Sequence, residues 1–246
     1  MRRAVAFLTV FGGARQPSPT AVAWFPTVGA ALGAALGGLW WAADRAWPPA
    51  VAAALVVGAD LAVTGLLHFD GLVDAADGLL PPLPRQQRLQ VMRDPGAGAF
   101  GVSVAVVALL ARWVAFATLR PSALLVGAVW ALARGSMAVV PSMVPYARVD
   151  GGLASGFFAG TAGAHGRRRW PSPVLAAGGS AAVLGLAGTL GWRLGPGAVV
   201  LAVELSAAGG VVLLARRRLG GYTGDVLGAA GVVAETAALV VAAARW

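Results

Sequence analysis

Three aspartates stand close together in the stretch H-F-D-G-L-V-D-A-A-D-G, residues 68–78. Asp70, Asp74 and Asp77 follow one another at i, i+4 and i+7, a spacing that puts them on one face of a helix. Three like charges on one face repel each other unless cations neutralise them, and Mg²⁺ takes one or two carboxylates together with substrate phosphates. The spacing therefore predicts a Mg²⁺ site for a diphosphate, with these three aspartates as its ligands. The competing interpretation is a solvated acidic patch at a helix end.

Three further polar segments, 92–101, 145–152 and 219–225, combine glycine with single charged residues. The first opens an apolar run, and backbone N–H groups at such a helix start can face a phosphate. These segments and two residues inside apolar runs supply the candidate substrate-binding residues. They are Arg93, Arg134, Arg148, Asp150, Thr223, Asp225 and Glu235. For Arg134, which falls within an apolar run, a structural ion pair is an equally good interpretation.

The composition requires that lipid surround the elements that carry these residues. The chain is 58% hydrophobic and only 12% charged, and its mean hydropathy is +0.76. A soluble domain carries about 25% charged residues because its surface faces water. The net charge of +9 comes from arginine without lysine. In a membrane protein, arginines mark loops that face anionic lipid, so we expect a lipid bilayer and no nucleic acid as partner.

Seven apolar stretches are long enough to cross a bilayer, which takes about 20 residues. They are 22–42, 49–69, 99–119, 122–144, 173–192, 196–215 and 226–244. With the N-terminus in the cytoplasm, thirteen arginines fall in cytoplasmic segments and four in outer ones, which is the bias that membrane proteins show. We therefore predict an all-α transmembrane bundle of about seven spans, a single domain over 1–246, with a cytoplasmic N-terminus. The three aspartates would then lie at the cytoplasmic side, in or beside the linker 70–98.

In the order of its motifs, the chain resembles the cobalamin synthase family, also called adenosylcobinamide-GDP ribazoletransferase, over nearly its whole length. The most specific motifs are H-x-D-G-x-x-D-x-x-D-G at 68–78 and G-G-x-T-G-D at 220–225. The others are F-P-T-V-G-A-A-L-G at 25–33, M-R-D at 92–94, A-R-G at 133–135 and Y-A-R-V-D-G at 146–151. Gly96 stands where the family often has a basic residue, and Val232 where it often has an acidic one.

The resemblance implies the last assembly step of the coenzyme B12 nucleotide loop. The substrates would be adenosylcobinamide-GDP and α-ribazole or its 5′-phosphate. The ribazole 3′-hydroxyl attacks the phosphorus attached to cobinamide, GMP leaves, and adenosylcobalamin or its 5′-phosphate forms. Mg²⁺ would neutralise the diphosphate and the departing GMP. Asp94, Asp225 and His68 are the alternatives for accepting the hydroxyl proton.

The expected location is the cell (inner) membrane, with a multi-pass chain whose active site faces the cytoplasm; homo-oligomerisation is left open. Other Mg²⁺-dependent membrane transferases are the nearest alternative. CDP-alcohol phosphotransferases use D-G-x-x-A-R, a pattern that this chain does not complete after Asp70-Gly71, and prenyltransferases use two separate Asp-rich motifs. A corrinoid transporter would need carboxylates along a path through the membrane, and only Asp60, Glu204 and Glu235 qualify.

Overall fold

The computed structural model describes residues 1–13, 18–148 and 172–246, and in these ranges the chain is helical without β-strands. A 3₁₀ turn at Pro19–Trp24 leads directly into the second helix. The α-helices are α1 (Arg2–Leu8), α2 (Phe25–Ala46), α3 (Pro49–Thr64), α4 (Leu67–Leu79), α5 (Arg85–Val91), α6 (Ala99–Thr118), α7 (Ala123–Met143), α8 (Ser172–Trp192), α9 (Leu194–Leu219) and α10 (Gly224–Ala242).

Six helices of the described chain are long and apolar enough to cross a membrane, which confirms the predicted polytopic helical bundle. They are α2 with its 3₁₀ turn, α6, α7, α8, α9 and α10. The helices α7 and α10 are buried over most of their length, whereas α6, α8 and α9 expose most of theirs. Exposed apolar faces of this kind suit contact with lipid rather than water. The side of the membrane that the N-terminus faces stays a prediction.

The predicted span over 49–69 is not one continuous helix. The helices α3 and α4 are bent by 89° at the break between them, so they supply a seventh crossing only if the bent pair counts as one span. Gly65 and Leu66, the two residues of the break, both adopt left-handed backbone angles, with φ of 59° and 62°. Two successive left-handed residues end a right-handed helix and redirect the chain. The three aspartates therefore lie on a helix of their own and not in a linker.

Helix α4 packs closely against α10 because glycine stands at their contacts. A Cβ on Gly71 would lie 3.0 Å from the backbone oxygen of Asp225, and one on Gly228 would lie 3.2 Å from the backbone oxygen of His68. Small residues let membrane helices approach each other at backbone distance. This contact sets the aspartates of α4 beside the first turn of α10.

Two arginines hold the C-terminal end of α4. Arg88 Nη1 donates to the carbonyl oxygens of Gly78 at 2.8 Å and Leu79 at 2.9 Å. Arg218 Nη1, from the end of α9, donates to the carbonyls of Leu79 and Leu80. The last carbonyls of a helix have no partner within it and carry a partial negative charge, which cations stabilise. The aspartate helix is therefore anchored at its end by α5 and α9.

Two polar loops are joined to each other at the same end of the bundle. The backbone N–H of Ala147 donates to the Tyr222 oxygen at 2.8 Å, and that of Tyr222 donates to the Pro145 oxygen at 2.9 Å. Arg85 reinforces the junction, because its Nε donates to the Leu219 oxygen at 2.6 Å and its Nη2 to the Ala147 oxygen at 3.2 Å. The loops that carry Arg148 and Asp225 are fixed relative to each other in this way.

Candidate active site

The first turn of α10 gathers residues from three distant parts of the chain. Asp225 Oδ2 accepts from Arg148 Nη2 at 2.7 Å and from the Thr223 hydroxyl at 3.2 Å. The Thr223 hydroxyl also accepts from the Val226 N–H at 3.3 Å, which caps the helix. Arg148 Nη2 donates in addition to the backbone oxygen of Met92 at 3.1 Å. The three predicted polar segments therefore meet at one place.

Asp70 and Asp74 of α4 face this turn, and among the described residues neither has an ion-pair partner of its own. Asp74 is partly buried, and the like charges that act on it most are those of Asp225 and Asp70. Arg148, which pairs with Asp225, is the cation that acts on Asp74. Carboxylates crowded in this way favour the approach of a cation.

A cavity of about 110 Å³ lies beside these carboxylates. Its lining includes Asp70, Asp225, His68 and Met137. His68 is buried, and its Nδ1 has no hydrogen-bond partner among the described residues. The structure therefore brings His68 to the aspartate cluster, with a buried Nδ1 that has no hydrogen-bond partner among the described residues.

Asp77 has a second set of contacts, which its spacing in the sequence does not reveal. Its Oδ2 accepts from the Gly98 N–H at 2.7 Å, and its Oδ1 accepts from the Gly101 N–H at 2.8 Å. A Cβ on Gly101 would overlap the carboxylate, so glycine is required at that position. Asp77 thus satisfies the free N–H groups at the start of α6, where a negative charge is also favoured by the helix dipole. Its role as a metal ligand stays a prediction.

Arg93 and Asp94 lie at the edge of the same surface, and both are exposed. Asp94 Oδ1 accepts from the Gly96 N–H at 2.9 Å, which fixes the turn before α6. The Arg93 charge acts on Tyr146, whose ring contacts Tyr222 edge-on at 5.2 Å. Burial raises the pKa of the Tyr146 hydroxyl above its ordinary value, so this residue stays protonated at neutral pH. Asp150 lies outside the described residues.

Arg134 and Glu235 are not at this surface but in a buried ionic network beneath it. Glu235 accepts from Arg134 Nη1 at 2.5 Å and from Arg112 Nη2 at 2.6 Å. Arg112 Nη1 also donates to Asp60 at 2.8 Å, and the Trp130 indole N–H donates to Asp60 at 3.1 Å. All the charged members are buried. That Arg134 and Glu235 bind substrate stays a prediction, since the contacts found for them are structural.

Arg112 is the residue of this network to which sequence reasoning assigned no role. A sequence signal for it existed, because a cation inside an apolar run needs a buried carboxylate partner, and Asp60 and Glu235 also lie inside such runs. The charge of Arg112 lies 5.2 Å from the centre of the Phe69 ring of α4. The network therefore contacts the aspartate helix α4 through Phe69.

Within residues 1–13, 18–148 and 172–246, no three carboxylate or imidazole groups stand close enough to form a metal site by themselves. The donor set at the bundle end nevertheless fits Mg²⁺ chemically, because it consists of carboxylate oxygens. Mg²⁺ commonly keeps waters and uses one or two carboxylates together with substrate phosphates. Asp70, Asp74 and Asp225 are the residues present for such a site, with Asp77 one helical turn away on α4.

Comparison with known proteins decides the family. The profile of the cobalamin-5-phosphate synthase family matches residues 1–243. An adenosylcobinamide-GDP ribazoletransferase of Chlorobaculum tepidum is 34% identical over 98% of this chain and 92% of the relative. One of Thermosynechococcus vestitus is 38% identical over 91% of this chain and 85% of the relative. The chain belongs to the cobalamin-5-phosphate synthase family.

Family membership confirms the resemblance seen in the motifs and decides against the other membrane transferases and the transporter. The match covers the aspartate helix, the Met92–Asp94 turn and the loop before α10, which are the segments that meet in the structure. No solved structure matches this chain. The geometry of the site therefore comes from the described residues themselves.

Proposed function

We propose that this protein is an adenosylcobinamide-GDP ribazoletransferase, which joins adenosylcobinamide phosphate to α-ribazole or its 5′-phosphate and releases GMP. The observation that supports the proposal most is the meeting of Asp70 and Asp74 with Asp225 and Arg148 at one end of the bundle. These side chains come from α4, α10 and the loop after α7. A diphosphate is the substrate group that a cation on carboxylates and an arginine would hold together.

In the proposed reaction the ribazole 3′-hydroxyl oxygen forms a bond to the phosphorus attached to cobinamide. The bond from that phosphorus to the bridging oxygen of the diphosphate breaks, and GMP leaves with the electron pair. A protein group accepts the hydroxyl proton, and Asp94, Asp225 and His68 remain the alternatives for this group. His68 lines the cavity, and its buried Nδ1 has no hydrogen-bond partner among the described residues. Asp225 is paired with Arg148, and Asp94 is exposed in a turn.

Mg²⁺ is the proposed cofactor, and Asp70, Asp74 and Asp225 would hold it. When bound, it would neutralise the charge of the diphosphate and of the departing GMP. Arg148 stands beside Asp225 and would contact a phosphate oxygen from there. Asp77, already committed to the start of α6, would position α4 relative to that helix. Arg93 would contact phosphate or nucleotide oxygens at the rim.

The test is GMP release by the purified protein in lipid vesicles, given adenosylcobinamide-GDP, Mg²⁺ and either ribazole form. We expect release that requires both the ribazole and the metal, and a loss on the order of 10²- to 10³-fold in Asp74→Asn, as for removal of a group that stabilises transition-state charge. Asp44→Asn is the matched control, because Asp44 is an exposed carboxylate at the end of α2. No release by folded protein with either ribazole form would contradict the function, whereas an active Asp74→Asn would contradict only the role of the aspartate.

We further propose that the aspartate end of the bundle faces the cytoplasm in the inner membrane. The arginine distribution supports this orientation. The chain contains no cysteine, so single cysteines report on the side of the membrane. In intact cells, an impermeant thiol reagent should label Ala244→Cys and spare Gln86→Cys, two exposed positions at opposite ends of the bundle. The reverse labelling pattern would contradict the orientation.

A further inference from the structure

A long apolar groove runs along the outside of the bundle between α6 and α10. One part, with a volume of about 430 Å³, extends from Leu72 of α4 and Ser103 of α6 to Ala111 and Val240. A second part, of about 750 Å³, continues from Val107 to Thr118 and Arg245. The two parts share Val107, Ala111 and Val240, so they form one continuous groove.

Three arginines gather at the end of the groove that lies away from the aspartates. Arg245 lines the groove itself. Arg120 and Arg193 line a neighbouring pocket of about 240 Å³, which meets the groove at Thr118 and Ala243. These are three of the four arginines that the topology assigns to the outer side, where arginine is otherwise rare. Their convergence at one place on the bundle therefore calls for an explanation.

Two of the three arginines at this end are free to bind an anion, and the third, Arg193, lies over the Trp192 ring at 5.7 Å. Neither Arg120 nor Arg245 forms a hydrogen bond or an ion pair with a described residue. The fourth outer arginine, Arg45, is different, because it lies over the Trp41 ring at 3.3 Å and donates to the Trp41 oxygen at 2.7 Å. In the segments at this end of the bundle, 43–48, 118–122, 192–195 and 243–246, Asp44 is the single acidic side chain.

The dimensions of the groove match one lipid tail. From Val107 to Thr118 the α6 axis rises by about 16 Å at 1.5 Å per residue. Half of a bilayer's hydrocarbon core is about 15 Å thick. A tail that starts at the arginine end would therefore fill the second part of the groove, and its tip would reach the part that ends on Leu72 of the aspartate helix.

We propose that this groove is a binding site for an anionic phospholipid. The phosphate lies among Arg120, Arg193 and Arg245, and one acyl tail lies between α6 and α10. The charge of the arginines complements the headgroup, and the apolar side chains of the groove complement the tail. Through Leu72, which lies between Gly71 and Val73 on α4, the occupied groove supports the helix that carries Asp70 and Asp74.

The test titrates the purified full-length protein with phosphatidylglycerol or phosphatidylcholine of identical tails and counts the bound lipids by native mass spectrometry. We expect tighter binding of phosphatidylglycerol and a loss on the order of tenfold or more in the double variant Arg120→Gln/Arg245→Gln, because each arginine near the membrane surface adds to the attraction for anionic lipid. Arg45→Gln is the matched control and should keep the affinity of the unmodified protein. Equal binding of the two lipids, or equal affinity in the double variant, would overturn the proposal.

A second pair of variants tests the tail. Ala111→Phe fills the groove at the point that its two parts share and should displace phosphatidylglycerol. Val106→Phe adds the same ring to α6 at an exposed position that does not line the groove and should leave binding unchanged. Unchanged binding in Ala111→Phe would overturn the groove assignment. A dimer that Ala111→Phe converts to a monomer, with lipid binding intact, would show that a second copy occupies the groove instead.

Discussion

Two groups of carboxylates in this bundle, the buried network around Arg112 and the end surface around Asp74, differ in how their charge is balanced. In the network, Asp60 and Glu235 face Arg112 and Arg134 at 2.5–2.8 Å, so two negative charges meet two positive ones. At the end surface, three carboxylates lie near one cation, Arg148. It forms an ion pair with Asp225 and with neither Asp70 nor Asp74 among the described residues.

The difference separates carboxylates that hold the fold from carboxylates that bind a ligand. A charge buried in a membrane protein persists when it is paired, and such pairs link helices that lipid alone would not hold together. Uncompensated charges at a hydrated end remain free to attract a cation or to act on a substrate. The two roles are therefore distinguished by whether the charge of a carboxylate is paired, and not by its presence in a motif.

The largest expected effect on stability comes from breaking the balanced network. Glu235→Gln removes the shared counter-charge of Arg112 and Arg134, and losing one partner of a buried ion pair costs about 3–5 kcal/mol. We expect a corresponding fall in the free energy of unfolding, measured by denaturation in detergent micelles. Glu204→Gln is the matched control, because Glu204 is equally buried but its carboxylate has no hydrogen-bond partner among the described residues. Equal losses in the two variants would refute the structural role of the network.

A smaller effect is expected where α4 meets α10. In Gly71→Ala the new Cβ would lie 3.0 Å from the Asp225 oxygen and would push the two helices apart. Overpacking of this kind costs about 1–3 kcal/mol. The contact also sets Asp74 beside Asp225. The rate of GMP release should therefore fall by more than the loss of folded protein alone would explain. Gly58→Ala is the control, since a Cβ there meets open space. Unchanged GMP release in Gly71→Ala would show that the spacing of the end surface does not matter.

The smallest effect is expected from Asp77, the aspartate that the structure commits to a helix start. Asp77→Ala leaves the N–H groups of Gly98 and Gly101 without their acceptor, and loss of such a cap costs about 0.5–2 kcal/mol. If Asp77 acts through this cap, Asp77→Asn keeps an acceptor oxygen and should retain most activity and the same Mg²⁺ requirement. A Mg²⁺ requirement that shifts by tenfold or more in Asp77→Asn would instead place Asp77 among the metal ligands, together with Asp70 and Asp74.

The positions of the membrane spans could be predicted from the sequence because a lipid bilayer permits few backbone conformations. A run of about 20 apolar residues satisfies its backbone groups in a bilayer only as a helix, and six such runs are helices in the structure. The bend after α3 could not be predicted, since the apolar run continues through Gly65 and a left-handed Leu66 has no signal in residue type. Asp60, one of the few carboxylates that a transporter path could use, instead accepts a hydrogen bond from Trp130 in the packed core.

For the site, the sequence identified which residues lie there, but it did not predict all of their contacts. The motifs pointed to Asp70, Asp74, Thr223 and Asp225, and the structure brings these together. Spacing along α4 grouped Asp77 with the other two aspartates, but its hydrogen bonds to α6 depend on tertiary packing that spacing does not encode. Likewise, a motif cannot tell whether an intramembrane arginine such as Arg134 meets a substrate or a carboxylate.

The most direct measurement of the central claim is Mn²⁺ binding, followed by electron paramagnetic resonance in the presence of adenosylcobinamide-GDP without ribazole, so that no turnover occurs. If the uncompensated carboxylates hold the metal, the unmodified protein and Asp44→Asn bind Mn²⁺ with the same affinity. Asp74→Asn should bind it at least about tenfold more weakly, as expected for loss of a charged ligand. Undiminished Mn²⁺ affinity in folded Asp74→Asn would contradict the account.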